Sequence, residues 1–284
     1  MKLKAIFILL NAVLGVAFLV IFLTPLFILG GDWFNVFWTR NWPIAIVFVV
    51  TLAGVDTYFL LNWKLFMALE REDWAAVAGF LEGRIFRKGR VLSAHVRLLL
   101  NTYLVTSHTE GILALEAYLG TRRPVLIRRF SLQFGIPHLL ARDPKDPEQF
   151  FRGLLDSPKV ADRDWVRWNH AFSLLQMKKP QEARAEIETL VDVVAEPVLL
   201  LLALYLLDVL AKDDAALESK VARLRDGLKG RYTPATFQKE IEKAGKNMQV
   251  VVLSRLLQDA TQWLFAGTAA TLSRPAEQGV GTGS

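Results

Sequence analysis

Two apolar stretches dominate the start of the chain. Residues 5–29 hold no charged side chain, and residues 43–62 hold one, Asp56. A helix needs about 20 apolar residues to cross roughly 30 Å of hydrocarbon, so both stretches predict membrane spans. The first is too long for a signal-peptide core of about 7–15 residues, and no small-residue cleavage pattern follows it. Between them lies DWFNVFWTRNW, residues 32–42, short enough to force an antiparallel return. Indole rings concentrate at membrane–water boundaries. Trp33, Trp38 and Trp42, with Phe34 and Phe37, therefore predict an interfacial aromatic loop over 31–42, and Trp63 marks the opposite boundary. The same aromatics could instead form a docking patch for a partner.

From residue 63 onward the apolar positions recur at helical spacing, and Gly and Pro punctuate them regularly. The pattern predicts helices over 63–71, 73–86, 91–106, 109–119, 124–140, 147–155, 162–177, 180–193, 197–211, 214–228, 234–245 and 247–265. The run PVLLLLALYLLDVLA (197–211) is apolar but short and contains Asp208. Its length predicts a buried core helix, not a third span. The stretch 266–284 is rich in Gly, Thr and Ser and predicts a disordered tail. The expected fold is all-α, a transmembrane helical hairpin (1–62) followed by an α-solenoid of antiparallel helix pairs (63–265).

One segment, WVRWNHAFSLLQMKKPQEARAEIETLVDVVAEP (165–197), pairs two helices around a turn at Lys178-Lys179-Pro180. Ala171 and Ala183 stand at facing positions, Ile187 and Leu190 follow, and Pro197 closes the unit. This resembles a tetratricopeptide repeat, although Arg167, Ala171 and Leu174 stand where that family carries Trp, Gly and Tyr. Ala203 with Ala215, and Ala76 with Phe80, echo the spacing on either side. The resemblance implies helix pairs packed through small residues, stacked into a solenoid with a protein-binding concave face. The predicted helix 63–71 follows the second span without Gly or Pro, so the sequence predicts one unbroken helix into the first hairpin.

Composition sharpens the membrane reading. The chain is 52% hydrophobic with a mean hydropathy of +0.29, above the range of soluble domains. Net charge is +6, and there is no cysteine, which excludes disulfides and thiolate metal sites. Lys2 and Lys4 precede the first span, the loop carries only Arg40, and Lys64, Arg71, Arg84, Arg87, Lys88 and Arg90 follow the second. The positive-inside rule then places both termini on the cytoplasmic side of the membrane, and the tetratricopeptide resemblance implies a bacterial inner membrane. Residues 64–130 hold eleven basic and six acidic side chains. Arg84, Arg87, Lys88 and Arg90, and further on Arg122, Arg123, Arg128 and Arg129, are candidate contacts for lipid headgroups or an acidic partner. No groove-reading motif accompanies them, which disfavours nucleic acid.

Candidate chemistry is sparse. A charged side chain at mid-bilayer costs about 2.5–3.5 kcal/mol. Asn11 and Asp56 lie at matching depths from the inner boundary, so they are expected to form a polar clasp across the hairpin, a bond worth roughly 0.6 kcal/mol. Thr24 and Thr51 are expected to pair similarly near the outer side. His95, His108, His138 and His170 show no metal-ligand spacing, and no nucleophile elbow, P-loop or dinucleotide fingerprint occurs. The expectation is therefore a non-enzymatic membrane adaptor with no metal or cofactor, bound to the bilayer and to another protein. The alternative is a homo-oligomeric transport or channel component using Asp56.

Overall fold

The computed structural model describes residues 2–157, 159–212, 214–245 and 248–266. Among them are sixteen α-helices, one π-turn and no strand. The chain divides into two compact units, Met1–Thr106 and Ser107–Ser284. Of the expected tail over 266–284, all but Ala266 lies outside the described residues.

The first unit contains α1 (Lys2–Leu29), α2 (Gly31–Leu61), α3 (Trp63–Glu70), α4 (Trp74–Glu82), a π-turn (Gly83–Arg87) and α5 (Ser93–Val105). Gly30, at φ 82, reverses the chain between α1 and α2, a conformation that a side chain would strain. The two helices run antiparallel, with Phe7 stacked on Phe59 at 3.9 Å and Phe18 on Phe48 at 5.1 Å. The segments Lys4–Thr24 and Phe34–Leu61 are long and apolar enough to cross a membrane, and only 6% of either window is buried. Ile6, Leu9, Val16, Val47, Val50 and Leu60 point outward. The core helix of a soluble domain hides such side chains.

Two details depart from the sequence reading. The aromatic segment 31–42 is not a loop but the opening turns of α2, which runs through Pro43 to Leu61. Gly30 alone supplies the reversal, so residues after it are free to be helical. The helix is also not continuous from α2 into α3. Asn62 interrupts it at φ −106, ψ 6, and its side-chain amide donates to Tyr58 O at 2.7 Å. The backbone bonds Asn62 N–H to Tyr58 O and Phe66 N–H to Asn62 O persist across the change, which carries neither Gly nor Pro.

The second unit contains α6 (Thr109–Arg122), α7 (Pro124–Arg129), α8 (Ser131–Leu139), α9 (Lys145–Leu155), α10 (Arg163–Gln176), α11 (Pro180–Val191), α12 (Pro197–Leu210), α13 (Ala215–Arg231), α14 (Pro234–Ala244), α15 (Met248–Val252) and α16 (Ser254–Phe265). Helices pack in consecutive pairs from α9 to α13. Then α14 and α16 fold back onto α12. Leu199, Leu201, Leu202, Leu204 and Leu207 of α12 are fully buried, as expected of a core helix. Each such leucine contributes about 1.5–3 kcal/mol of apolar burial. The Trp263 indole N–H donates to Asp208 Oδ2 at 2.9 Å, and Arg225 covers the Trp263 ring at 4.4 Å, which fastens α16 in place.

Candidate functional site

The polar residues of the apolar hairpin satisfy themselves. The Asn11 amide donates to Phe7 O at 3.1 Å, Thr51 Oγ1 to Val47 O at 2.7 Å, and Thr24 Oγ1 to Val20 O. Each donor reaches the carbonyl one turn back within its own helix, which costs less order than meeting a partner across the hairpin. The expected Asn11–Asp56 and Thr24–Thr51 bonds are therefore not formed. The Phe7–Phe59 stack places Asn11 and Asp56 at similar depth, since one follows Phe7 and the other precedes Phe59 by about one turn. Asp56 differs from the others in making no such bond within its helix. Its Oδ1 is buried without a partner.

The predicted interface anchors divide. Trp42 is exposed, as an anchor must be. Trp38 instead packs inward on Phe22 at 5.4 Å, with its indole nitrogen buried, and Trp63 lies against Phe59 at 5.3 Å. The Trp33 side chain lies outside the described residues.

The basic residues also divide. Arg84 is half-buried and already engaged. Its guanidinium donates to Leu61 O at 3.0 Å, across the interruption at Asn62, and lies over the Phe80 ring at 4.6 Å. Arg87, Lys88 and Arg90 are exposed. In the second unit Arg122 donates to the Tyr118 hydroxyl at 2.9 Å, Arg123 and Arg129 are exposed, and Arg128 is half-buried.

Of the expected packing residues, Ala171, Ala183 and Ala203 are fully buried. Ala76 and Ala215 are exposed and Phe80 is only half-buried. The inward faces are formed by Val77 with Leu81, and by Leu217 with Val221, so the small-residue spacing picked the wrong register there. Pro197 does not end α11, which stops at Val191. It opens α12 at the first helical turn, where its missing N–H costs nothing.

The second unit also holds two histidine–carboxylate clamps that sequence reasoning missed. His138 on α8 is buried, with Nε2 2.9 Å from Glu116 Oε2 of α6 and Nδ1 3.0 Å from Asp146 Oδ2 of α9. Its ring stacks on Phe150 at 4.2 Å. Burial lowers the His138 pKa, but Glu116 and Asp146 together outweigh it and the net shift is upward. His170 on α10 lies 3.6 Å from Glu148 of α9 and 3.5 Å from Glu186 of α11. Glu186 is held below the usual carboxylate range by His170 first, against the opposing effect of burial, with Arg167 at 3.3 Å assisting.

Glu148 precedes His170 by the interval that separates Glu116 from His138, a repeat visible in the sequence only once the pairs are known. The carboxylates face opposite ring nitrogens and do not converge on a common point. Those at His138 are hydrogen-bonded, whereas at His170 they stand at ion-pair distance and neither ring nitrogen has a hydrogen-bond partner. Ser131 and Ser173 spend their hydroxyls on Ala161 O and Asn169 O. Among the described residues no group of three or more His, Cys, Asp or Glu is arranged to hold a metal ion. A separate groove of about 640 Å³ runs between α14 and α15–α16. Ile241, Val250, Leu257 and Phe265 line it, with Gln238 and Gln262 at its edge.

A family model described as "Uncharacterised Treponema protein" matches residues 111–266. The chain belongs to that family. The match begins in α6 and ends just past α16, so it takes in both histidine clamps and the α14–α16 groove. A relative from Treponema pallidum (strain Nichols), described as "Uncharacterized protein", is 29% identical over 283 residues, covering 93% of this chain and 88% of its own. An alignment of that extent cannot leave out the whole α1–α2 hairpin. No solved structure matches the chain.

Proposed function

We propose that this protein is a non-enzymatic membrane adaptor. The α1–α2 hairpin inserts into the cytoplasmic membrane with both termini on the cytoplasmic side, and the second unit binds another protein there. The observation that carries the reading is the outward-facing apolar surface of α1 and α2, of which only 6% of either span window is buried. Surrounding hydrocarbon satisfies that surface, and away from its ends a long helix pairs its backbone polar groups internally. The tetratricopeptide-like pairing of α10 with α11 through Ala171 and Ala183 supports a binding role for the helical body. The α14–α16 groove offers the apolar floor and amide edge that an amphipathic partner helix requires.

The test is affinity purification of the full chain from mildly solubilised membranes, beside a Val251→Arg variant. Val251 lines the groove and is 55% exposed, so the change spares the core. The adaptor reading expects one reproducible protein partner, reduced at least ten-fold in the variant. Repeated purification of the chain alone would refute it.

A second reading draws on the unpartnered Oδ1 of Asp56, since acids within spans often belong to ion or proton paths. Two helices enclose no path, so this reading requires several copies of the chain. Asp56→Asn would then abolish transport while preserving assembly, whereas a variant that only assembles poorly would count against it.

A further inference from the structure

We infer that Arg87, Lys88 and Arg90, on and after the π-turn that follows α4, form a binding site for the phosphate of an anionic phospholipid headgroup. The inference rests on the membrane insertion of α1–α2 proposed above, and every residue it uses lies in the first unit.

Position comes first. Leu61 is the last residue of the apolar segment Phe34–Leu61, and Arg84 donates to its carbonyl at 3.0 Å. The π-turn is therefore held within one arginine side chain of the end of the span. Arg84 is occupied by that carbonyl and by Phe80, so it positions the turn and leaves the ligand to its neighbours.

The backbone then gathers the remaining cations. Lys88 N–H donates to Gly83 O at 3.2 Å and Arg90 N–H to Arg84 O at 3.0 Å, with Gly89 at φ 63 turning the chain back. These bonds close residues 83–90 into a single loop, in which Arg87, Lys88 and Arg90 are all exposed within four consecutive positions.

Third, the charges have no internal use. The segment 84–90 contains no acidic residue, and among the described residues no carboxylate pairs with Arg87, Lys88 or Arg90. In the second unit, by contrast, Arg152, Arg167, Arg184 and Lys220 each have a carboxylate within 3.3 Å. Solvated cations at headgroup depth gain from phosphate oxygens, which arginine can take two at a time. Each basic residue near an anionic surface is worth about five-fold in affinity. A lipid phosphate is favoured over an acidic protein because the loop is tied to the end of a span, where headgroups are already present.

The test uses purified full-length protein in a mild detergent, titrated separately with phosphatidylglycerol and phosphatidylcholine, with bound lipids counted by native mass spectrometry. The wild type is expected to retain phosphatidylglycerol over phosphatidylcholine. Arg87→Gln/Lys88→Gln/Arg90→Gln should lower that retention at least ten-fold, while Arg122→Gln/Arg123→Gln/Arg129→Gln should not. All six side chains lie outside the core, and an unchanged helical circular dichroism spectrum checks folding. Equal retention by wild type and the first variant overturns the inference, as does a wild type that binds both lipids alike. Loss of a co-purifying protein by that variant, with lipid retention intact, assigns the loop to an acidic partner and overturns it too. Alkaline carbonate extraction separates the two readings. If the wild type leaves the membrane, the anchor and this inference fall together. If it stays but does not discriminate between lipids, only this inference falls.

Discussion

His138 Nε2 lies 2.9 Å from Glu116 Oε2, joining α8 to α6 through a buried charge-assisted contact. Asp146 holds the other side of the ring at 3.0 Å. The imidazole pKa is raised in the folded chain, because these two carboxylates outweigh burial. A group with a raised folded pKa stabilises fully below its unfolded value of about 6.5 and loses that contribution as pH rises through the folded value. Thermal unfolding of the full chain should therefore fall in midpoint as pH is raised from about 6 to 9. His138→Gln should flatten that slope. An identical slope in the variant would show that Glu116 and Asp146 are not reading the charge of His138.

Arg84 secures the end of α2 by donating to Leu61 O. Arg84→Gln shortens the side chain and removes its charge, and because the bond it loses is solvent-exposed the cost is about 0.5–1 kcal/mol. The unfolding midpoint in detergent should drop measurably. Arg87→Gln, which removes a neighbouring charge but no such bond, should leave it within experimental error.

Gly135 shows close packing of a different kind. A Cβ placed there would meet Phe151 Cζ at 2.6 Å and Cε1 at 2.8 Å. Phe151 is fully buried and cannot swing away. Gly135→Ala is expected to destabilise the second unit by about 1–3 kcal/mol, as overpacking of a filled core does. Denaturant unfolding of the variant checks this, and a neutral result would mean that α8 and α9 can part at little cost.

The helix pairing makes a register prediction. Ala171 and Ala183 are fully buried between neighbouring helices, whereas Ala76 and Ala215 face solvent. Ala171→Leu should cost about 1–3 kcal/mol. Ala76→Leu and Ala215→Leu should change stability by less than about 0.5 kcal/mol. Equal penalties at all three positions would show that small residues set the packing throughout.

Much of this architecture was legible in the chain because its helices are long and apolar on one face, and because prolines mark their starts. Pro124, Pro180, Pro197 and Pro234 each lie in the first turn of a helix. The breaks at Asn62, Phe130 and Leu253 carry no Gly or Pro and left no such mark. At Asn62 the backbone departs from helical values at φ −106, ψ 6, a local change that no Gly or Pro announces. Ala171 and Ala183 are fully buried, in a segment that is strongly patterned. The register failed at Ala76, where Val77 and Leu81 are apolar one position on. The polar residues of the hairpin misled in one respect. Matching depth suggested cross-helix pairs, yet Asn11, Thr24 and Thr51 each had a nearer carbonyl in their own helix. The histidine clamps escaped because their partners come from separate helices at intervals no local periodicity describes.

The central claim is that α1 and α2 form a there-and-back membrane pair that leaves the second unit in the cytoplasm. The direct measurement is protease accessibility of the second unit in sealed spheroplasts, compared with lysed ones. The account predicts that residues beyond Thr106 stay intact until the cytoplasmic membrane is broken. Their digestion from outside intact spheroplasts, or their recovery in the soluble fraction without detergent, would contradict it.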